Sequence, residues 1–328
     1  MMRQRIPDSV LTAAHERARA RSERDWPEAD RLRAAIEAAG WRIVDRGTDF
    51  ELRPAAPADV SDASGRPRYG SSATVPSRLG EPAGAPATVV LIATDQSGDL
   101  ERTIAALRRH APPGTQVVIT ADAPDATQEA ALEILTASGM DGASDQPPVE
   151  VVWTSARLGH AAALNAAIRR SVGEIIVILD TSVEPTGDVI APLVATLADP
   201  TVAVVGGWGL VSRDLRRFDE APAGDVDAIE GYLLAFRRDD YSQRGPLDEH
   251  FRFYRNLDIW WSLVLRDSGP GERPRRAVRL GDLSALRHEH RGWASLPDDD
   301  RARQSKRNFY RIIDRFGSRR DLLVGRPG

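Results

Sequence analysis

Several residues in this chain are of types that could hold or move charge. Thr94-Asp95 follows the apolar run Thr88–Ile92, Asp122 follows Gln116–Ile119, and Asp180-Thr181-Ser182 follows Ile175–Leu179. Carboxylates at strand ends suit a ribose hydroxyl, or a divalent cation carrying a diphosphate, because hard cations prefer oxygen ligands. Asp258 stands just before Ile259-Trp260-Trp261, and His288 and His290 lie beyond the strand pattern Ala277–Leu280. Each group also has a plainer reading. Asp180 could cap a turn, Asp95 and Asp122 could be loop acids, Asp258 could be a helix N-cap, and the imidazoles could be structural.

Composition narrows the chemistry. The chain has 328 residues, 41% hydrophobic and 28% charged, with a formal net charge of −4 and no cysteine. A thiol nucleophile, a disulfide framework and a Cys-bound zinc are therefore excluded. The charge balance argues against a general nucleic-acid coat. Of the 44 Lys+Arg, Lys306 alone is lysine. Arginine codon bias explains most of that excess; the functional reading is that some guanidinium groups grip phosphate, which their planar fork suits. No apolar run approaches the ~20 residues of a membrane span. The first residues, MMRQRIPDSV, lack the apolar stretch of a signal peptide. A cytoplasmic location is expected, with membrane contact at most peripheral.

The elements that must position these residues fall into three zones. Residues 1–53 predict two helices and a small hairpin. Leu11, Ala14 and Ala18 mark the first helix face, and Ala29, Leu32 and Ile36 the second. Asp25 is the expected N-cap, with Pro27 in the first turn and Gly40 as the stop. Residues 54–86 are rich in Ala, Pro, Ser and Gly and read as a flexible linker. From residue 87 to 328, near-continuous apolar strands alternate with helical patterns, which predicts an α/β domain with a mostly parallel sheet covered on both faces. Its helix faces are Leu100/Ile104/Leu107, Ala131/Ile134/Leu135 and Leu164/Ile168/Val172. No GxGxxG or GxxxxGK[ST] loop is present, against a dinucleotide-binding dehydrogenase or a P-loop NTPase. Ligands of open α/β sheets bind beyond the strands' carboxyl ends, where the acids collect.

Two resemblances follow from ordered motifs. Residues 1–53 resemble the C-terminal helical module of cysteinyl-tRNA synthetases through Ala18-Arg19, Arg24-Asp25-Trp26, Ala29-Asp30-Arg31-Leu32-Arg33, Gly40 and Val44-Asp45-Arg46-Gly47-Thr48. This implies either tRNA contact or, the favoured alternative, a borrowed docking or dimerisation hairpin. Residues 87–328 resemble a family 2 glycosyltransferase of the GT-A fold. The likeness runs in order through Arg157–Asn165, Gly173–Asp180, Asp199–Gly207, Phe236-Arg237-Arg238, Gly245–Glu249, Phe251–Tyr254, Asp258-Ile259 and His290–Trp293.

The resemblance implies transfer of a sugar from a nucleotide-sugar to an acceptor hydroxyl, with inversion by direct displacement. It further implies Mg²⁺ or Mn²⁺ held by Asp180 and His290, with Ser182 at the second acidic position of the DxD motif and Glu184 as a possible substitute ligand. Thr94, Asp95, Asp122, Arg157, Asp180, Ser182 and Arg238 are the expected nucleotide-sugar contacts, although Thr120 stands where relatives carry an acid. Asp258 is the expected base, with Asp248 or Glu249 as runner-up. His160, beside Gly159, is a weaker anion contact. Trp260, Trp261 and Trp293 are either sugar platforms or core. Arg157, Arg237, Arg238, Arg291 and Arg307 could supply charge that Ser182 does not. The basic amphipathic segment 306–316 is a closing helix, a diphosphate contact or a membrane-surface element. The single acid at Asp258 and the eroded DxD keep open a different class, a scaffold that has lost turnover.

Overall fold

The computed structural model describes residues 6–46, 49–55, 57–137, 147–269, 271–290 and 297–324. They fall into two units, Met1–Ala58 and Asp59–Gly328. In the first, helices α1 (Asp8–Ser22) and α2 (Trp26–Ala38) precede an antiparallel hairpin of β1 (Trp41–Arg46) and β2 (Asp49–Pro54). Asp25 caps α2 by accepting a hydrogen bond from the Glu28 amide at 3.1 Å, and Gly40 ends the turn at φ +77°. The expected face of α2 is buried. That of α1 is rotated: Val10, Ala14, Arg17 and Ala20 are buried. On this face Val10 and Ala14 pack with Ile36, Trp41 and Ile43, and Arg17 forks onto both oxygens of Asp45, at 2.8 and 3.1 Å. Gly47 and Thr48 lie outside the described residues.

The expected linker is not one over residues 59–86. From Asp59 the chain belongs to the second unit. Short strands β3 (Val60–Ser61) and β4 (Pro67–Arg68) pair, and the Tyr69 amide donates to the Trp153 carbonyl at 2.8 Å. Val75 is fully buried in the core, and the Arg238 guanidinium holds the carbonyls of Leu79 and Glu81. Composition predicted flexibility because this stretch has little apolar surface. Long-range hydrogen bonds supply the ordering instead.

The main sheet of the second unit contains β5 (Ala85–Ala93), β6 (Gln116–Ala121), β7 (Val149–Trp153), β8 (Gly173–Leu179), β10 (Val202–Gly206), β13 (Gly224–Val226), β15 (Leu233–Arg237) and β16 (Arg276–Arg279). Their order is β13-β16-β10-β15-β8-β5-β6-β7. Strands β7, β6, β5 and β8 are mutually parallel, as the apolar runs predicted, while β15 is antiparallel to β8. Alternate strand residues enter two cores. Val89, Leu91 and Val177 pack with helices α3 (Ser97–His110) and α6 (Ile190–Leu197), whereas Val90, Val118 and Ile176 pack with α5 (His160–Arg169) and α8 (Leu257–Arg266). Helix α4 (Ala126–Ala137) departs from its predicted stripe: Leu132 is buried and Ile134 is 72% exposed. Helix α7 (Arg238–Arg244) follows β15, and α9 (Asp298–Phe316) closes the unit with Ile312 and Phe316 in the core. Among the described residues no helix is long and apolar enough to cross a membrane.

Gly206 is where β10 passes closest to its neighbours. A Cβ there would overlap the Leu233 carbonyl oxygen and an Ile229 methyl. Gly206→Ala is therefore expected to cost about 3 kcal/mol, read as a lower urea midpoint with an unchanged slope.

Candidate active site

Asp180 directly follows β8, and its amide still bonds the Tyr232 carbonyl at 2.9 Å. The turn that follows is held by Asp180 itself. Its Oδ1 accepts from the Ser182 amide at 2.8 Å and the Ser182 hydroxyl at 2.5 Å. The other oxygen, Oδ2, faces His290 Nε2 at 3.4 Å. His290 is brought there by β17 (Ala285–Arg287), which pairs with β9 (Val183–Pro185), and by the His288 amide donating to the Ser182 carbonyl at 2.8 Å. Its ring stacks on Tyr254 with centroids 4.5 Å apart and meets the edge of Tyr232. Burial opposes both charges, yet each partner outweighs it. Asp180 is held below the usual carboxylate range and His290 above the usual imidazole value.

Asp258 occupies the first turn of α8. Its Oδ2 accepts from the Gly231 amide and its Oδ1 from the Ile259 amide, both at 2.9 Å. Burial pushes its pKa up, against the pull of those amides and of Arg255. The loop before α8 is clamped by α9. Asn308 Nδ2 donates to the carbonyls of Phe253 and Arg255 at 2.9 and 2.8 Å, and Asn256 Nδ2 to that of Ser305 at 3.1 Å. Asp180, His290 and Asp258 line one cavity of about 570 Å³. A smaller cleft of about 130 Å³, walled by Thr94, Asp95, Asp99 and Ser182, shares His160, Asp180, Tyr254 and His290 with it. The two spaces meet at the end of β8.

Glu230 is the residue that sequence reasoning missed. It lines the larger cavity, and burial together with the negative charge of Asp258 pushes its pKa up to about 7, against Arg287 at 3.2 Å. An acid in the otherwise apolar segment Ala228-Ile229-Glu230-Gly231-Tyr232 was the available signal. Between its ordinary value of 4.5 and about 7 the folded state holds more protons than the unfolded one, so stability falls as pH rises through that window. Glu230→Gln should therefore raise stability at pH 8 by on the order of 1–3 kcal/mol and leave it unchanged at pH 4, read from thermal unfolding at both values.

Other expected contacts are placed differently. The Asp122 carboxylate is 3% exposed and accepts the amides of Leu158 at 2.6 Å and Gly159 at 3.2 Å, with burial raising its pKa. It anchors the turn into α5, away from both cavities. The start of α5 is no free anion site either, because the His160 and Ala161 amides bond the carbonyls of Arg252 and Phe251. Burial pushes the His160 imidazole down to about 4, so it is neutral at pH 7. Arg238 is spent on the 79–81 backbone and Arg237 on the carbonyls of Leu197, Asp199 and Val202. Arg157 is exposed, reaching the Ala123 carbonyl at 3.4 Å. Glu184 binds His288 at 2.8 Å and lines neither cavity. Thr120 donates to the Ala163 carbonyl. Asp248 chelates its own loop through His250, and Glu249 accepts from Asn165 at 3.0 Å and from Ser72. Trp260 and Trp261 are core. Arg291 and Trp293 lie outside the described residues.

Among the described residues no three His, Cys, Asp or Glu side chains converge as a metal cage. Asp180 and His290 can still contribute two ligands. Their facing atoms, Asp180 Oδ2 and His290 Nε2, lie 3.4 Å apart.

Comparison with known proteins agrees with this architecture. A mannosyltransferase from Pyrobaculum calidifontis, solved in complex with GDP-Man and Mn²⁺, superimposes with a TM-score of 0.54 at 22% identity, over 76% of this chain and 71% of that one. GalNAc-T7, solved with UDP, GalNAc and Mn²⁺, gives 0.56 at 16% identity over 70% and 48%. Both likenesses show the GT-A fold. Cysteine–tRNA ligase 1 of Burkholderia lata is 52% identical over 40 residues, 12% of this chain and 8% of the ligase, which is a likeness to one short module of it. The sequence profile of glycosyl transferase family 2 matches residues 88–255, from β5 through the loop that carries Tyr254. With just over half of its length matched and the fold in agreement, the chain belongs to glycosyl transferase family 2.

Proposed function

We propose that this glycosyltransferase takes its sugar from a nucleoside-diphosphate sugar lying in the smaller cleft and passes it, with inversion, to a hydroxyl in the larger cavity. The observation that carries this reading is the junction itself: Asp180 and His290 belong to both spaces, and Asp258 only to the acceptor side. The acceptor oxygen attacks the anomeric carbon, its proton passes to Asp258, and the bond from that carbon to the diphosphate breaks with its electron pair leaving on the nucleotide. Asp258 is held for this by two amides and is made a better base by burial. Thr94 and Asp95, joined at 2.8 Å, line this cleft and would contact the nucleoside.

Asp180 and His290 would hold a divalent cation, Mg²⁺ or Mn²⁺, which when bound offsets the charge of the departing diphosphate. The Ser182 hydroxyl does not replace a carboxylate in this scheme. It fixes Asp180 so that Oδ2 is the oxygen presented. A scaffold without turnover would leave the acids apart, whereas here they share one cavity. The reaction is tested by incubating the full chain with nucleotide-sugars and acceptors and determining the product's anomeric configuration by NMR. Inversion supports the single displacement; retention would refute it.

A further inference from the structure

The larger cavity carries cations that the transfer reaction as described does not use. Arg216 and Arg217 lie on the connection from β11 (Gly209–Ser212) to β12 (Phe218–Ala221), and Lys306 lies on α9. Each element also presents an aromatic ring to the same space: Phe218 beside the two arginines, and Phe309 one turn beyond Lys306. Arg217 pairs with Asp219 at 3.1 Å, but that pair is largely exposed. Arg216 and Lys306 pair with no carboxylate among the described residues. Asp214 accepts the backbone amides of Arg216 and Arg217, and the Arg216 guanidinium acts on it through its charge without a hydrogen bond to it.

Their location decides what they could serve. The smaller cleft, where the donor's nucleoside lies in the proposed reaction, has no Arg or Lys in its wall among the described residues. Cations that served the donor's nucleoside would line that cleft. These three line the acceptor side instead, around a cavity whose own acids are Asp180, Glu230 and Asp258. Within that wall His290 partners Asp180 and Arg255 acts on Asp258, so Arg216, Arg217 and Lys306 are the cations left to meet a negative group on the acceptor.

We infer that the acceptor is a hydroxyl compound bearing a phosphate group, which Arg216, Arg217 and Lys306 hold at the rim while Phe218 and Phe309 cover its apolar part and its hydroxyl reaches Asp258. This rests on the glycosyl-transfer reading and extends it to the substrate class. The phosphate could belong to a soluble metabolite or to a lipid headgroup, and both present the same chemistry.

The test measures nucleoside diphosphate release from the full chain, loaded with whichever nucleotide-sugar it binds, in matched pairs of acceptors. Glycerol 3-phosphate is set against glycerol, glucose 6-phosphate against glucose, and vesicles of phosphatidylglycerol in phosphatidylcholine against phosphatidylcholine alone. One charged member should exceed its neutral partner at least tenfold, the soluble or vesicle arm identifying the source. The variant Arg216→Ala/Lys306→Ala, altered only at exposed positions, should reduce that preference to below about threefold with the donor's Kd unchanged, as expected for lost charge-assisted contacts. Equal response to charged and neutral members with donor binding intact overturns the inference, as does a variant that keeps the preference. Failure to bind any donor strikes the transfer reading instead, so the two failures are distinct.

Discussion

Replacing Asp258 by Asn is expected to lower kcat about 10²–10⁴-fold while the donor's Kd stays within about threefold, the range for loss of a positioned general base. The prediction separates two roles that the sequence left open. As a helix N-cap alone, Asp258 would contribute about 1 kcal/mol of stability and nothing to rate. The structure gives its carboxylate two backbone amides, one from its own helix and one from Gly231 across the cavity mouth. Only the second is irrelevant to capping, and it points the group at the space that Asp180 and His290 also line. Asn keeps the shape and the ability to accept from Ile259, so a large fall in kcat without a fall in donor affinity isolates the missing proton acceptor. A matched fall in both would indicate a collapsed loop.

Asp180→Asn should act on the other substrate. Loss of the single carboxylate shared by both spaces is expected to weaken nucleotide-sugar binding in the presence of Mn²⁺ about 10–100-fold, the scale of one charge-assisted contact, and to flatten the dependence on Mn²⁺. Ser182 would still tie the turn, through the side-chain oxygen that Asn retains, so the backbone should hold. His290 would lose the charge that now outweighs its burial, and its pKa should fall below the ordinary imidazole value. Calorimetry over a series of Mn²⁺ concentrations measures the first effect and histidine NMR the second. Unchanged donor affinity would leave Asp180 as no more than a turn cap.

Much of the framework was legible in the sequence because burial on both faces of a parallel strand leaves a plain signal. Val89–Leu91, Val117–Ile119 and Ile175–Leu179 are buried throughout, and the runs located β5, β6 and β8 to within a few residues. What escaped depends on partners distant in the chain. Arg238 looked like a phosphate ligand, but its guanidinium meets carbonyls 157 and 159 residues earlier. The same contact makes residues 79–81 ordered where composition suggested a linker. Asp122 looked available at a strand end, until the turn into α5 folded its amides onto the carboxylate. Glu230 acquires its character from burial and from Asp258, which α8 sets beside it, and neither is written in the local sequence.

The arginine excess can be divided on the same grounds. Arg17, Arg237, Arg238 and Arg266 are bound to carboxylates or backbone carbonyls and hold the fold. Arg216 and Arg217 remain at the cavity that Asp180, Glu230 and Asp258 also line. Lysine's sole representative, Lys306, shares that cavity.

The most direct measurement is calorimetric titration of UDP-, GDP- and dTDP-sugars into the full chain, with and without Mn²⁺. Binding of one nucleotide class, strengthened by Mn²⁺ and weakened by Asp180→Asn, is the predicted result. If none of them binds under either condition, the junction of the two cavities is not a donor site and the account is contradicted.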